Sequence, residues 1–377
     1  MTEAARVRVT DRVAEIAKSD WQGLAAGHPS LRHEVLELLS DCLNRPRSLR
    51  FFLLEDASGL TAAAVCEVVL EARVPSPLDA SLFGRGARLA RALGVPTVPL
   101  LLFESPLSST PTVLARAGED RSGRLVSLLS AVERYALARG FTVAFANIPA
   151  RDPELSGAFE HRGYLACEMP AVARLEVKWP DFDGYVQYLR QRSKNAATNA
   201  RRERQRNERS GTRIRRLPPG EPATPLYELA RAHYLRKNHR ELPDAPTLLP
   251  RLQQSIGEDL ICFVAERDGR RTASVAVVRF GGSGWVYWLG FADAQRPNDF
   301  TYPNLLYYQL AGESGRLGID TLFYGTDVLR AKLLRGCSID AHRLFLKPRS
   351  ASARLLLRPY LALLDRWRRR RQSGTAK

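Results

Sequence analysis

No run of about 18 uncharged apolar residues occurs in the sequence, which argues against a membrane-spanning helix. Cysteine is sparse. The five present (Cys42, Cys66, Cys167, Cys262, Cys337) are scattered, odd in number and never in a CxxC pair, so neither a disulfide framework nor a cysteine metal site is expected. The six histidines form no metal-ligand cluster. The opening MTEAARVRVTDRVAEIAKSDW lacks the apolar core of a secretory signal. Together these absences point to a cytoplasmic protein without metal, disulfide or bound cofactor. Lysine is also scarce, at seven residues, so the formal charge of +17 is carried almost wholly by arginine. That charge is uneven. Residues 1–180 hold 21 basic and 21 acidic side chains, and residues 181–377 hold 36 against 19. Genome-wide codon bias toward arginine would not leave one half neutral, so the second half is expected to meet a polyanion.

The 377 residues suit two medium domains, with the best boundary at the turn-rich VKWPDFDGY (177–185). One segment in each half repeats an order of elements. In the first, 121–141 has apolar Leu125, Leu128, Leu129 and Val132 at helical spacing and stops at Gly140. The strand-like VAFANIP (143–149) and a short helix, LSGAFEHRGY (155–164), follow. In the second, TYPNLLYYQLAGESGRLGI (301–319) is the helix, TLFYGTD (321–327) the strand and LRAKLLRGC (329–337) the short helix. Strand-like runs precede each unit: LRFFLLED and LTAAAVCEVVLE, then LICFVAERD, TASVAVVRF and GWVYWLGF. GRGAR (84–88) reads as a turn, RRLPPGEPATP (215–225) as a loop, and the terminal RQSGTAK as unstructured.

The ordered set R-S-G-R-L at 121–125, Gly140-Phe141 and A-F-E-H-R-G-Y at 158–164 resembles the central and closing elements of the Gcn5-related (GNAT) acyltransferases. The second half resembles the double-GNAT branch that includes FemAB-like aminoacyltransferases, through Pro303 to Tyr308, Gly325, Lys332 and Gly336, and through FDGYVQYLRQRSKNAATNARRERQR. The resemblance implies two tandem GNAT-like α/β domains, 1–180 and 181–377, each a mixed, mostly antiparallel sheet flanked by helices. It implies amide formation on an amine, with carbonyl polarisation by a backbone amide at a splayed strand. One departure bears on the donor. Coenzyme A enzymes of the family cradle pyrophosphate in a glycine-rich loop at the central helix, where free amides and the helix dipole attract anions. Here that loop reads Asp120-Arg121-Ser122-Gly123-Arg124-Leu125 in one copy and Thr301-Tyr302-Pro303-Asn304 in the other. Neither is well formed.

Candidate site residues follow, each with its plainer alternative. A helix over about 184–209 would align Arg202, Arg206 and Arg209 in one stripe and Lys194 and Arg201 in another, for phosphate contact or simply for solvation. Arg236 and Lys237, in His233–Arg240, could hold phosphates beside a stacked base, or close a helix end. Trp285 and Tyr287 share a face of one strand, with Trp288 on the other. With Tyr307, Tyr324 and Lys332 they could form an acceptor pocket, or be core. Lys332 and Arg335 could steady an anion. Asp327, expected at the sheet's carboxyl edge, could orient or deprotonate an amine, with Tyr308 as its partner in catalysis, or Asp327 could cap the next helix. A last helix, Pro359 to Arg371, has Tyr360, Leu363, Leu364 and Trp367 at helical spacing, with Arg366 and Arg368–Arg371 about its end, and is expected to pack with a basic tail rather than lie on an anionic membrane or touch RNA.

The leading reading is an N-acyltransferase using aminoacyl-tRNA as donor and a small-molecule or peptide amine as acceptor. The alternative is an acyl-coenzyme A or acyl-carrier-protein donor. A third is a non-catalytic nucleic-acid or membrane-surface protein, since no Ser, Cys or His nucleophile constellation stands out.

Overall fold

The computed structural model describes residues 6–42, 48–70, 78, 82–83, 98–105, 107–239, 241–242, 246–292 and 299–375. GRGAR (84–88) and Arg240 lie outside them. The chain folds in the order β1 (Arg6–Thr10), α1 (Lys18–Ala25), α2 (His33–Cys42), β2 (Ser48–Asp56), β3 (Gly59–Val69), β4 (Leu100–Phe103) and β5 (Val113–Ala115). Then come α3 (Arg121–Arg139), β6 (Thr142–Pro149), α4 (Pro153–His161), β7 (Leu165–Glu176), α5 (Phe182–Arg192), α6 (Lys194–Arg209) and β8 (Arg213–Arg216). Next are α7 (Thr224–Asn238), α8 (Leu248–Ile256), β9 (Leu260–Arg267), β10 (Arg270–Phe280) and β11 (Ser283–Phe291). Residues 301–314 form one helix, α9, whose middle, Asn304–Gln309, is π-helical. β12 (Thr321–Gly325), α10 (Leu329–Leu333), β13 (Ser338–Lys347) and α11 (Ala351–Thr375) complete the chain.

Two compact units result, and they are interleaved. One comprises Met1–Ala25, Arg47–Ala171 and Asp340–Lys377; the other comprises Ala26–Pro46 and Val172–Ile339. The boundary drawn from sequence at 180/181 therefore meets a different division, in which β13 and α11 belong with the first half. In the first unit the strand order is β1-β2-β3-β4-β6-β13-β7, with β5 beside β3. β4 and β6 are parallel; β13 runs antiparallel to β6 from His342 opposite Pro149 to Lys347 opposite Val143. In the second unit the order is β7-β12-β11-β10-β9-β8, and β11 and β12 are the parallel pair. Each unit thus places a helix, then a strand parallel to an earlier one, then a short helix, in the same order.

Local chemistry sets the element ends. α3 buries Leu125, Leu128, Leu129, Val132 and Ala136 and stops where Gly140 takes φ of 69°, its N–H bonding the Ala136 and Leu137 carbonyls. Asp152 caps α4 by accepting from the Leu155 N–H at 3.0 Å, with Pro153 in the first turn. The continuous helix expected over 184–209 is two helices. Ser193 is extended (φ −161°, ψ 121°), ends α5, and caps α6 by accepting from the Ala196 N–H. At the far end, α11 runs through to Thr375, so residues 371–375 of the segment expected to be unstructured continue a helix.

Candidate functional site

β11 and β12 pair only from Ser283 opposite Thr321 to Trp285 opposite Phe323. β11 then continues to Phe291 while β12 stops at Gly325, whose φ of 71° turns the chain away. A cavity of about 540 Å³ opens where the strands part. Val286, Tyr287, Trp288 and Leu289 form one wall, and Tyr324 to Val328 the facing edge. α9 contributes Tyr302 and Leu306, α7 contributes His233, Tyr234 and Lys237, and α10 contributes Lys332.

The wall carries a bulge. Val277 of β10 faces Val286 and Ala276 faces Trp288, so Tyr287 is the residue the register skips. The bulge breaks the alternation expected from sequence. Tyr287 reaches the cavity, whereas Trp285 is buried against Phe323, ring centroids 5.3 Å apart, and lies outside its lining.

Lys332 is the most unusual group. It is 3% exposed, and its Nζ donates to the carbonyls of Tyr324 (2.6 Å) and Gly325 (3.1 Å). Burial lowers its ammonium to about 8, partly offset by the fields of Cys337 and Asp327. A cation held by carbonyl dipoles at the cavity edge is prepared to meet negative charge. Tyr324 beside it is buried, its hydroxyl without a protein partner among the described residues, and burial pushes its phenol well up. His233 packs edge-on against Phe291, and burial with the nearby Arg236 and Lys237 cations lowers its pKa, favouring the neutral imidazole.

Asp327 lines the cavity mouth, largely exposed, and pairs with Lys237 at 2.6 Å. It does not cap α10, because Val328 is the capping residue and the helix begins one position later. Tyr307 and Tyr308 are not among the lining residues. Both are buried, and the Tyr308 hydroxyl donates to Glu203 (2.6 Å), which also pairs with Arg335 (3.3 Å). The Arg335 guanidinium lies 5.0 Å from the Tyr307 ring centre. These groups tie α6 and α9 to the turn that follows α10. The structure thus brings Tyr287, Tyr324, Asp327, Lys332 and Lys237 to one cavity and leaves Trp285, Tyr307 and Tyr308 out. His233 has no role of its own in the sequence, where it only opens the segment His233–Arg240, and the bulge gives no signal there.

On α6, Lys194, Arg201, Arg202, Arg206 and Arg209 are all exposed, while Ala197, Ala200 and Asn207 face inward. Arg201 stands 3.8 Å from Asp183, and Arg202 donates to Asn199. Arg236, also exposed, donates to the Phe291 carbonyl.

At the start of each helix where the resemblance implies a coenzyme A pyrophosphate, a carboxylate is present. Asp299 accepts from the Thr301 N–H at the start of α9 (2.9 Å) and pairs with Arg267 (3.0 Å). Asp120 lies over the first turn of α3, close enough that a Cβ on Gly123 would collide with its Oδ1.

The second unit is thus an α/β unit whose parallel strands part over a cavity, with a bulge in one wall. The family model described as "Acetyltransferase (GNAT) domain" matches residues 194–332, which lie wholly within the second unit and include most of the cavity. Residues 194–332 thus match an acetyltransferase (GNAT) domain, and the chain as a whole has a fold shared with several solved structures. FemX is similar in structure, with a TM-score of 0.59 at 8% identity over 90% of this chain and 96% of that one. The C-terminal domain of a putative lysylphosphatidylglycerol synthetase from Agrobacterium fabrum gives 0.55 at 12% identity, covering 94% and 95%. L-PGS from Bacillus licheniformis gives 0.55 at 13% identity, covering 91% and 94%. No curated protein matches the sequence.

Proposed function

We propose that this GNAT acyltransferase takes an aminoacyl group from tRNA and joins it to an amine in the cavity between β11 and β12. The observation that carries the reading is the buried Lys332 at the rim of that cavity, with a carboxylate at each helix start where coenzyme A phosphates would bind. An anion brought to the Thr301 N–H would meet Asp299, and Pro303 supplies no N–H of its own, so the dipole attraction is already used. The exposed cations of α6, Lys194, Arg201, Arg202, Arg206 and Arg209, together with Arg236 and Lys237, suit a polyphosphate chain instead.

In this reading the acceptor amine attacks the ester carbonyl carbon. A C–N bond forms, and the carbonyl electron pair moves onto oxygen. The tetrahedral species then expels the ribose oxygen, which takes up a proton while the amine loses one. Backbone at the Tyr287 bulge polarises the carbonyl, and Lys332 steadies the oxyanion or the departing oxygen. The neutral imidazole of His233 accepts the amine proton, and Asp327 with Lys237 orients the acceptor at the mouth. The deciding measurement is whether purified protein forms an amide when given a mixture of aminoacylated tRNAs and a panel of amines. Product from acetyl-coenzyme A but not from charged tRNA would reject the donor and leave the acyltransferase assignment standing.

A further inference from the structure

The inward side of α11 is fully used. Ala353, Leu357 and Leu361 are buried, and Tyr360 and Leu364 pack on the same cluster as Leu78 and Leu82. The Tyr360 hydroxyl donates to the Leu82 carbonyl at 2.5 Å, and Asp365 accepts from the Glu168 N–H at 2.8 Å. The opposite side remains apolar. Leu355, Leu356 and Leu363 are 75%, 52% and 64% exposed. At helical spacing these three, with exposed Pro359 and Ala362, fall in a sector of about 120°. Arg354, Arg358 and Arg366 are exposed along and beyond that stripe. The sequence of α11 holds seven arginines and one acidic residue, and that one, Asp365, is engaged with Glu168.

We propose that this face of α11 is a docking surface for an anionic lipid bilayer. A leucine stripe beside cations is what an interfacial helix needs: side chains that enter the acyl boundary and charges that remain with lipid phosphates. RNA would use the arginines and leave the leucines in water; a neutral bilayer would use the leucines and gain little from the arginines. The helix lies on the surface, since no described helix is long and apolar enough to cross. The inference is independent of the donor proposed above.

Flotation of the full chain with phosphatidylcholine vesicles, with and without phosphatidylglycerol, tests it. Wild type should bind the anionic vesicles and not the neutral ones, and binding should weaken as salt rises. L355Q/L356Q/L363Q should reduce partition about tenfold or more while the melting temperature is kept, because these side chains already face solvent. R358Q/R366Q should also weaken binding and reduce its salt dependence. Failure of wild type to bind anionic vesicles at low salt overturns the proposal. So does unchanged binding by the leucine variant, whether or not tRNA competes, since the face would then be one more basic surface. If the triple variant melts early, L363Q alone decides, and unchanged binding again counts against the proposal.

Discussion

Lys332 shows how one residue can be costly to the fold and useful to the chemistry. A lysine in water keeps its proton to about 10.4, whereas here burial brings the ammonium down to about 8. Between those values the unfolded chain binds the extra proton, so this group's contribution to stability rises with pH through that window. Below about 8 the buried charge costs on the order of 3 kcal/mol. Catalysis by a cation runs the other way: turnover should fall as pH passes about 8, in a profile read at saturating substrate. Lys332→Met removes the charge and leaves two carbonyls short of a donor, so the melting temperature should move little. Turnover should drop roughly 100-fold, the scale for losing one oxyanion donor. A variant that keeps its turnover would remove Lys332 from the mechanism.

Among elements, most helices and strands were legible in the sequence, but their faces less so. Lys332 and Tyr324, expected in an acceptor pocket, both line the cavity, since β12 ends at Gly325 and α10 follows within a few residues. Tyr307 and Tyr308 were misplaced because nearly every residue of α9 from Thr301 to Tyr308 is buried, so periodicity cannot say which side meets the cavity. Trp285 was misplaced because one bulged residue, Tyr287, shifts the alternation of β11, and a bulge depends on the neighbouring strand. The carboxylate at the start of α9 was missed as well, since Asp299 acts through Arg267, far away in sequence. Titration calorimetry should therefore give no saturable binding of acetyl-coenzyme A in the micromolar range. The α6 stripe was legible, its amphipathic pattern leaving the arginines outside. R202E/R206E/R209E should weaken tRNA binding about tenfold or more at low salt, and each phosphate no longer neutralised should flatten the salt slope by ~0.9. Melting should be unaffected, because all three side chains are exposed.

At the scale of the whole chain, the last segment is required by the first half of the sequence, which nothing in the local pattern announces. β13 fills the place between β6 and β7 in the first unit, with Phe345 opposite Phe145. Leu344, Phe345 and Leu346 are all at most 1% exposed, and Phe345 stacks on Phe159 at 4.8 Å. Their burial, at about 1.5–3 kcal/mol each, already approaches the stability of an ordinary domain. Removing them would also strip β6 of its ladder partner and leave open edges. Deleting residues 340–377 should therefore unfold the first unit, although only a tenth of the sequence is lost. Limited proteolysis of a 1–339 fragment should cut rapidly within β6 and β7, and the full chain should be cut there more slowly. Adding back a 340–377 peptide should restore resistance if β13 alone completes the sheet. A 1–339 fragment that melts cooperatively at the full-length temperature would show that the first unit stands without its borrowed strand.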